Sequence, residues 1–131
     1  MSVVVDSSVV VAALIDSGPV GRWAEALLLS GPLVAPHLMP VEAANILRRS
    51  ALAGHVLADV ASLAHGELLS LPLELFPYAP CASRVWELRP DITAYDGWYV
   101  ALAEELGSSL ATLDARLSRA PGPRCLRTAA V

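Results

Sequence analysis

A chain of 131 residues buries roughly two-thirds of its unfolded surface, enough for one domain with a sizeable core. The formal charge of −4 excludes a protein that holds nucleic acid through a broadly basic surface, and Cys81 and Cys125, far apart and outside any CxxC pair, exclude a disulfide framework or a zinc knuckle. A hydrophobic fraction of 55% and a mean hydropathy of +0.54 predict that some apolar surface meets a second copy or a partner, so a homodimer is expected.

The first element is Val3–Val5, three β-branched residues that read as a strand buried on both faces, with Asp6 where the strand ends. The longest apolar run after Asp6, Val9 to Ile15, is too short to span a bilayer, and the N-terminus lacks a basic leader; a cytoplasmic protein with no membrane partner is expected. Periodicity and breakers then predict helices Ser8–Ile15 and Arg22–Leu29 with a break at Ser17-Gly18-Pro19, and strand Leu33–Ala35. Helices Val41–Leu52 and Val56–Leu69, strand Leu73–Phe76, and helices Ala82–Leu88 and Thr93–Leu106 follow. Strand Ser109–Leu113, a short helix Ala115–Ser118 and a last strand near Leu126–Arg127 complete the order. Strands alternating with helices predict an α/β fold, a parallel sheet flanked by helices on both faces, in a single domain spanning 1–131. Ligands of such sheets sit at the carboxyl ends of the strands.

Ser109–Leu113 ends in Asp114 as Val3–Val5 ends in Asp6, so both acids belong at one edge of the sheet. Glu42 and Asp96 fall in the first turns of their helices, Asp96 on the inward side with Tyr99, Val100 and Ala103. Each acid has a plain explanation as a helix cap or a partner of the helix dipole, and Thr93-x-x-Asp96 approximates a capping box. Capping leaves unexplained why four acids converge on one edge. Four adjacent carboxylates need a countercharge, and an all-oxygen site suits Mg²⁺ or Mn²⁺. A divalent cation held by carboxylates, with open positions, suits phosphodiester hydrolysis. The chain contains no P-loop, and all its basic residues are Arg, whereas receiver-type and haloacid-dehalogenase-type sites rely on a Lys. His37, His55 and His65 have no metal-trio spacing, and Trp23, Trp86 and Trp98 read as core or interface aromatics.

The stretches VVVDSSVVVAAL, VEAANILRR and TAYDGWYVALAEELGSSLATLDARL resemble the PIN-domain ribonucleases, specifically the short VapC-like toxins of toxin–antitoxin pairs. The resemblance runs from Val3 to about Leu117 and is most specific from Tyr95 onward, while Ala53 to Pro80 carries no matching motif. It implies that Asp6, Glu42, Asp96 and Asp114 bind one or two Mg²⁺ or Mn²⁺ ions and carry catalysis, with Glu42 a ligand or water-orienting base. It further implies Ser7, Asn45 and Thr112 as supporting groups, cleavage of tRNA or rRNA, and a small protein antitoxin. Arg49 and Arg116, each near a proposed ligand, are candidates for RNA phosphate contact. The alternative is a PIN-like module that binds RNA or protein without cutting. Gly97, after Asp96, departs from the small helix-former usual there.

Overall fold

The computed structural model describes residues 2–129. Five strands, β1 (Val3–Val5), β2 (Leu33–Pro36), β3 (Leu73–Phe76), β4 (Ser109–Ala111) and β5 (Arg127–Thr128), form one sheet in the order β3-β2-β1-β4-β5. Every neighbouring pair is parallel, with Val3 opposite both Leu33 and Ser109. The all-β-branched β1 takes the centre, apolar on both faces and flanked on both edges; Val4 and Val5 are fully buried.

Helices α1 (Ser7–Ile15) and α2 (Pro19–Leu28) link β1 to β2, and α3 (Met39–Leu52) and α4 (Ala58–Ser70) link β2 to β3. A 3₁₀ turn at Ala79–Cys81, α5 (Ala82–Glu87) and α6 (Ala94–Leu106) lead back across to β4, and α7 (Ala115–Arg119) leads to β5. The order winds outward from β1 in one direction and then from β4 in the other. With right-handed crossovers, α1–α4 therefore cover one face and α5–α7 the other. The reversal falls between β1 and β4, the switch point at which doubly wound sheets open a crevice.

The expected elements form with shifted ends. β4 stops at Ala111, two residues short of the expected strand, because the Thr112 hydroxyl accepts from the Asp114 N–H at 2.9 Å and turns the chain toward α7. The last strand lies one residue later than expected, at Arg127–Thr128. α2 and α3 begin earlier than expected, since Pro19 and Pro40 sit within their first turns, where a missing N–H costs nothing. α4 begins two residues later, because His55 and Val56 instead donate back to the Ser50 carbonyl around Gly54, whose φ is +77°. α6 ends on Gly107 in the left-handed region (φ +62°), returning the chain tightly into β4. The core is continuous across both faces, from Val9, Val10 and Met39 on one side to Tyr99, Val100, Leu102 and Leu110 on the other. The three histidines are exposed; Trp23 and Trp98 pack against the core and Trp86 is exposed beneath the Arg89 guanidinium.

Candidate active site

Asp6 follows β1 and caps α1. Its Oδ1 accepts from the Val9 N–H at 3.1 Å and the Ser8 hydroxyl at 2.5 Å. It is only 7% exposed, and burial raises its pKa against the opposing pull of Ser8, Thr112 and backbone N–H groups. Asp114, after β4, caps α7, its Oδ1 accepting from the N–H groups of Arg116 (2.9 Å) and Leu117 (3.3 Å). Ser8 ties the two strand ends together, because its oxygen also accepts from the Leu113 N–H at 3.1 Å.

Glu42 enters from the first turn of α3. The Tyr99 hydroxyl, from α6, donates to its Oε1 at 2.5 Å. Burial raises the Glu42 pKa, the Tyr99 bond lowers it and the charge of Asp6 raises it further. Asp96 lies in the first turn of α6, but the cap of that helix is Thr93, whose hydroxyl accepts from the Asp96 N–H at 3.2 Å. Among the described residues the Asp96 carboxylate accepts no bond from the Thr93 N–H, so the reciprocal half of the expected capping box is missing, and the Thr93 hydroxyl is only the smallest influence on it. Its pKa rises from 3.8 to about 6, first through burial and then through the charges of Asp114, Asp6 and Glu42. All four acids thus meet electrostatically at the carboxyl edge, and Asp96 carries the repulsion.

Among these acids the hydrogen bonds follow one pattern. Asp6 is held by Ser8, Val9 and Thr112, Glu42 by Tyr99 and Asp114 by the N–H groups of α7, whereas Asp96 has only the weak pull of Thr93. A donor set of carboxylate oxygens, crowded enough to raise pKa values and lacking Cys or His, fits a hard divalent cation. Among the described residues no three Asp, Glu, His or Cys side chains already close on one point. Beside them opens a cleft of about 150 Å³ lined by Asp91, Thr93, Asp96, Asp114 and Arg116.

The PIN-domain family model matches residues 3–123. The chain belongs to the PIN-domain family. Within that family it is similar to ribonuclease VapC1 of Mycobacterium tuberculosis, 37% identical over 92% of this chain and 95% of the relative. Its fold matches the crystal structure of VapBC2 from Rickettsia felis bound to a promoter DNA fragment, with a TM-score of 0.70 and 17% identity over 98% of both chains. It also matches VapC20 of M. tuberculosis, described as a sarcin–ricin loop cleaving toxin, with a TM-score of 0.67 and 18% identity over 88% of this chain and 92% of that one. The VapC relationship covers nearly the whole chain, including the middle segment that carries no recognisable motif.

In this PIN domain the remaining candidates separate. Thr112 is fully buried behind Asp6 and holds the Asp114 backbone. Ser7 faces the Tyr99 hydroxyl rather than a carboxylate, and Ser8 is the hydroxyl on Asp6. Asn45 is exposed and, among the described residues, makes no side-chain hydrogen bond to Glu42, whose partner is Tyr99. Arg116 lines the cleft, whereas Arg49, two helical turns beyond Glu42, lines a separate depression with Ile46, Ser50 and His55. Sequence reasoning missed Ser8 and Tyr99. The one signal for Tyr99 was its place three residues after Asp96 on the same inward face. A Cβ at Gly97 would meet Val85 Cγ1 of α5 at 3.4 Å, an ordinary van der Waals contact, so the packing of α6 on α5 leaves room for the small helix-former expected there.

Proposed function

We propose that this PIN domain is a VapC-type endoribonuclease toxin that hydrolyses RNA phosphodiester bonds with Mg²⁺ or Mn²⁺ and is silenced by a small protein antitoxin. The observation that carries this reading is the convergence of Asp6, Glu42, Asp96 and Asp114 from four elements on the switch point of the sheet, near enough that the other three charges push the Asp96 pKa up. A site built around uncompensated negative charge is a site for a cation. Asp6, Glu42, Asp96 and Asp114 would hold the ion through their carboxylate oxygens. When bound, a divalent cation supplies neutralisation of the phosphate charge and a more acidic water.

The chain's own residues do the rest. Ser8, Val9 and Thr112 fix Asp6, the α7 backbone fixes Asp114, and Tyr99 fixes Glu42, so little side-chain freedom is lost when substrate arrives. Arg116 stands at the cleft to meet an RNA phosphate next to the scissile bond. A structured RNA of the tRNA or rRNA class is the proposed substrate, supported by the sarcin–ricin loop named for VapC20.

Association is supported by leucines left in solvent. Leu52 (72% exposed), Leu57 (75%) and Leu63 (70%) crown the α3–α4 pair, beside a groove of about 390 Å³ lined by Leu47, Ala51, Ala58 and Ala61. A second copy of the chain or a small protein antitoxin would cover such surface. Among the described residues no helix is long and apolar enough to cross a membrane, and the cytoplasm is the proposed compartment.

Incubation of the purified chain with tRNA and rRNA tests the proposal. Cleavage should require Mg²⁺ or Mn²⁺, stop with EDTA and leave 5′-phosphate and 3′-hydroxyl ends, because water rather than the ribose 2′-hydroxyl attacks. Cyclic-phosphate ends, or full cleavage in EDTA, would overturn the mechanism. RNA retained but never cut would point to a binding module.

A further inference from the structure

We infer that Tyr99 is a positioning residue of the acid cluster: its buried hydroxyl holds one oxygen of Glu42 so that the other is presented to the cation site. Tyr99 is 1% exposed and is among the largest fully buried side chains, packed with Val100 and Leu102 against the sheet. Packing alone would be served by Phe. The hydroxyl instead reaches the rim of the core and donates to Glu42 Oε1. That bond ties α6, which carries Asp96, to the first turn of α3, which carries Glu42.

The need for such an anchor follows from how the acids are held. Asp6 and Asp114 are short, stand at N-caps and take their anchors from backbone N–H groups of α1 and α7. Glu42 has one more methylene and stands inside α3, a helix that begins at Leu38 and Pro40 with no side-chain cap bond. No free backbone N–H is offered to its carboxylate, and an unanchored glutamate on a half-exposed turn would sample many rotamers. The phenol supplies from α6 what the other acids receive from their own helices. Loss of an outer partner of this kind weakens metal binding by about 10- to 100-fold.

The inference rests on the cation reading of the cluster, and the experiment separates the two. Mn²⁺ affinity is measured by the electron paramagnetic resonance of free Mn²⁺ on the full chain and on Tyr99→Phe, Glu42→Gln and the double variant. Wild type should bind Mn²⁺, Tyr99→Phe should bind at least about tenfold more weakly, and the double variant should be no weaker than Glu42→Gln alone. Equal affinity in Tyr99→Phe, or an undiminished loss on top of Glu42→Gln, would overturn the role of Tyr99 while leaving the cation site in place. Wild type that binds no Mn²⁺ would remove the cation site and this inference with it. Glu42→Asp tests the same geometry without touching the core, because the shorter carboxylate cannot reach the phenol and the cleft together. It should lose at least as much affinity as Tyr99→Phe, and wild-type affinity there would also overturn the proposal.

Discussion

At the amino end of the strands Glu104 lies against Arg84, which donates to both of its oxygens at 2.7 and 3.2 Å, and the Arg124 N–H adds a third bond at 2.7 Å. At the carboxyl end Asp96, on the same helix two turns away, has three carboxylates for neighbours and no cation bonded to it among the described residues. Burial pushes both acids up; Arg84 and Arg124 together more than reverse this for Glu104, whose pKa is lowered, whereas the neighbouring acids add to it for Asp96. A cavity of about 580 Å³ beside Glu104, Ser108, Cys125 and Leu126 belongs to the satisfied end, while the frustrated end has a much smaller cleft of about 150 Å³. Unbalanced charge rather than volume marks the proposed site, since a carboxylate already paired has nothing left with which to bind.

Several experiments would break or sharpen this contrast. The largest effect is expected from the cation itself: free Mn²⁺ at a hundredfold its Kd should stabilise wild type by about 2.7 kcal/mol, and most of that gain should vanish in Asp96→Asn. Thermal melts with and without Mn²⁺ measure it. Next, removal of one charge should act with opposite sign at the two ends. Glu104→Gln weakens charged hydrogen bonds to Arg84 and should destabilise by about 1.5–3 kcal/mol with Mn²⁺ affinity unchanged. Asp96→Asn in EDTA at pH 7 should leave stability unchanged or raised, because repulsion is relieved and no cap is lost. A fall in its melting temperature would show that the carboxylate does structural work not visible in its contacts.

Thr93→Ala should cost about 1 kcal/mol through loss of the α6 cap and shift Mn²⁺ affinity little, the converse of Asp96→Asn. Denaturant titration alongside Mn²⁺ binding separates the two. The most gradual effect is the pH slope. Asp96 has a folded pKa of about 6 against an ordinary 3.8, so the stability it contributes is complete below 3.8 and lost as pH rises through 6. Asp6 and Glu42, also raised, act in the same direction, and Glu104, lowered, acts in the opposite one. Metal-free melts from pH 4 to 7 should therefore show a decline assignable to Asp96, shallower in Asp96→Asn. Mn²⁺ affinity should rise over the same range as the proton leaves.

Much of this arrangement was legible in the chain before its fold. Asp6 and Asp114 declare themselves because each ends an apolar strand, and parallel strands in one sheet put their carboxyl ends together. Asp96 and Glu42 were legible as first-turn acids. The opposition drawn between cap and ligand was too sharp, however, because Asp6 and Asp114 each cap a helix while their charges bear on Asp96. Tyr99 stayed hidden because an aromatic on an inward helix face reads as core, and only the fold shows that its hydroxyl reaches another helix. Ser7 and Ser8 are adjacent, and the choice between them depends on the exact turn from β1 into α1, which pattern cannot resolve. Arg49 looked close to Glu42 in sequence; seven residues of helix carry it about 10 Å along the axis and out of the cleft.

The double duty of Asp6 and Asp114 has a practical consequence for handling a toxic protein. Asn caps a helix about as well as Asp, since its side-chain oxygen accepts the same backbone N–H. An Asp6→Asn, Asp114→Asn chain would keep both helix starts and forfeit only the charge, whereas alanine at the same places would unseat α1 and α7 as well. With Asp6 and Asp114 in the roles proposed for them, the amide pair is the form in which a host cell could carry this chain intact, and in which an uncleaved RNA could be held against it long enough to be seen.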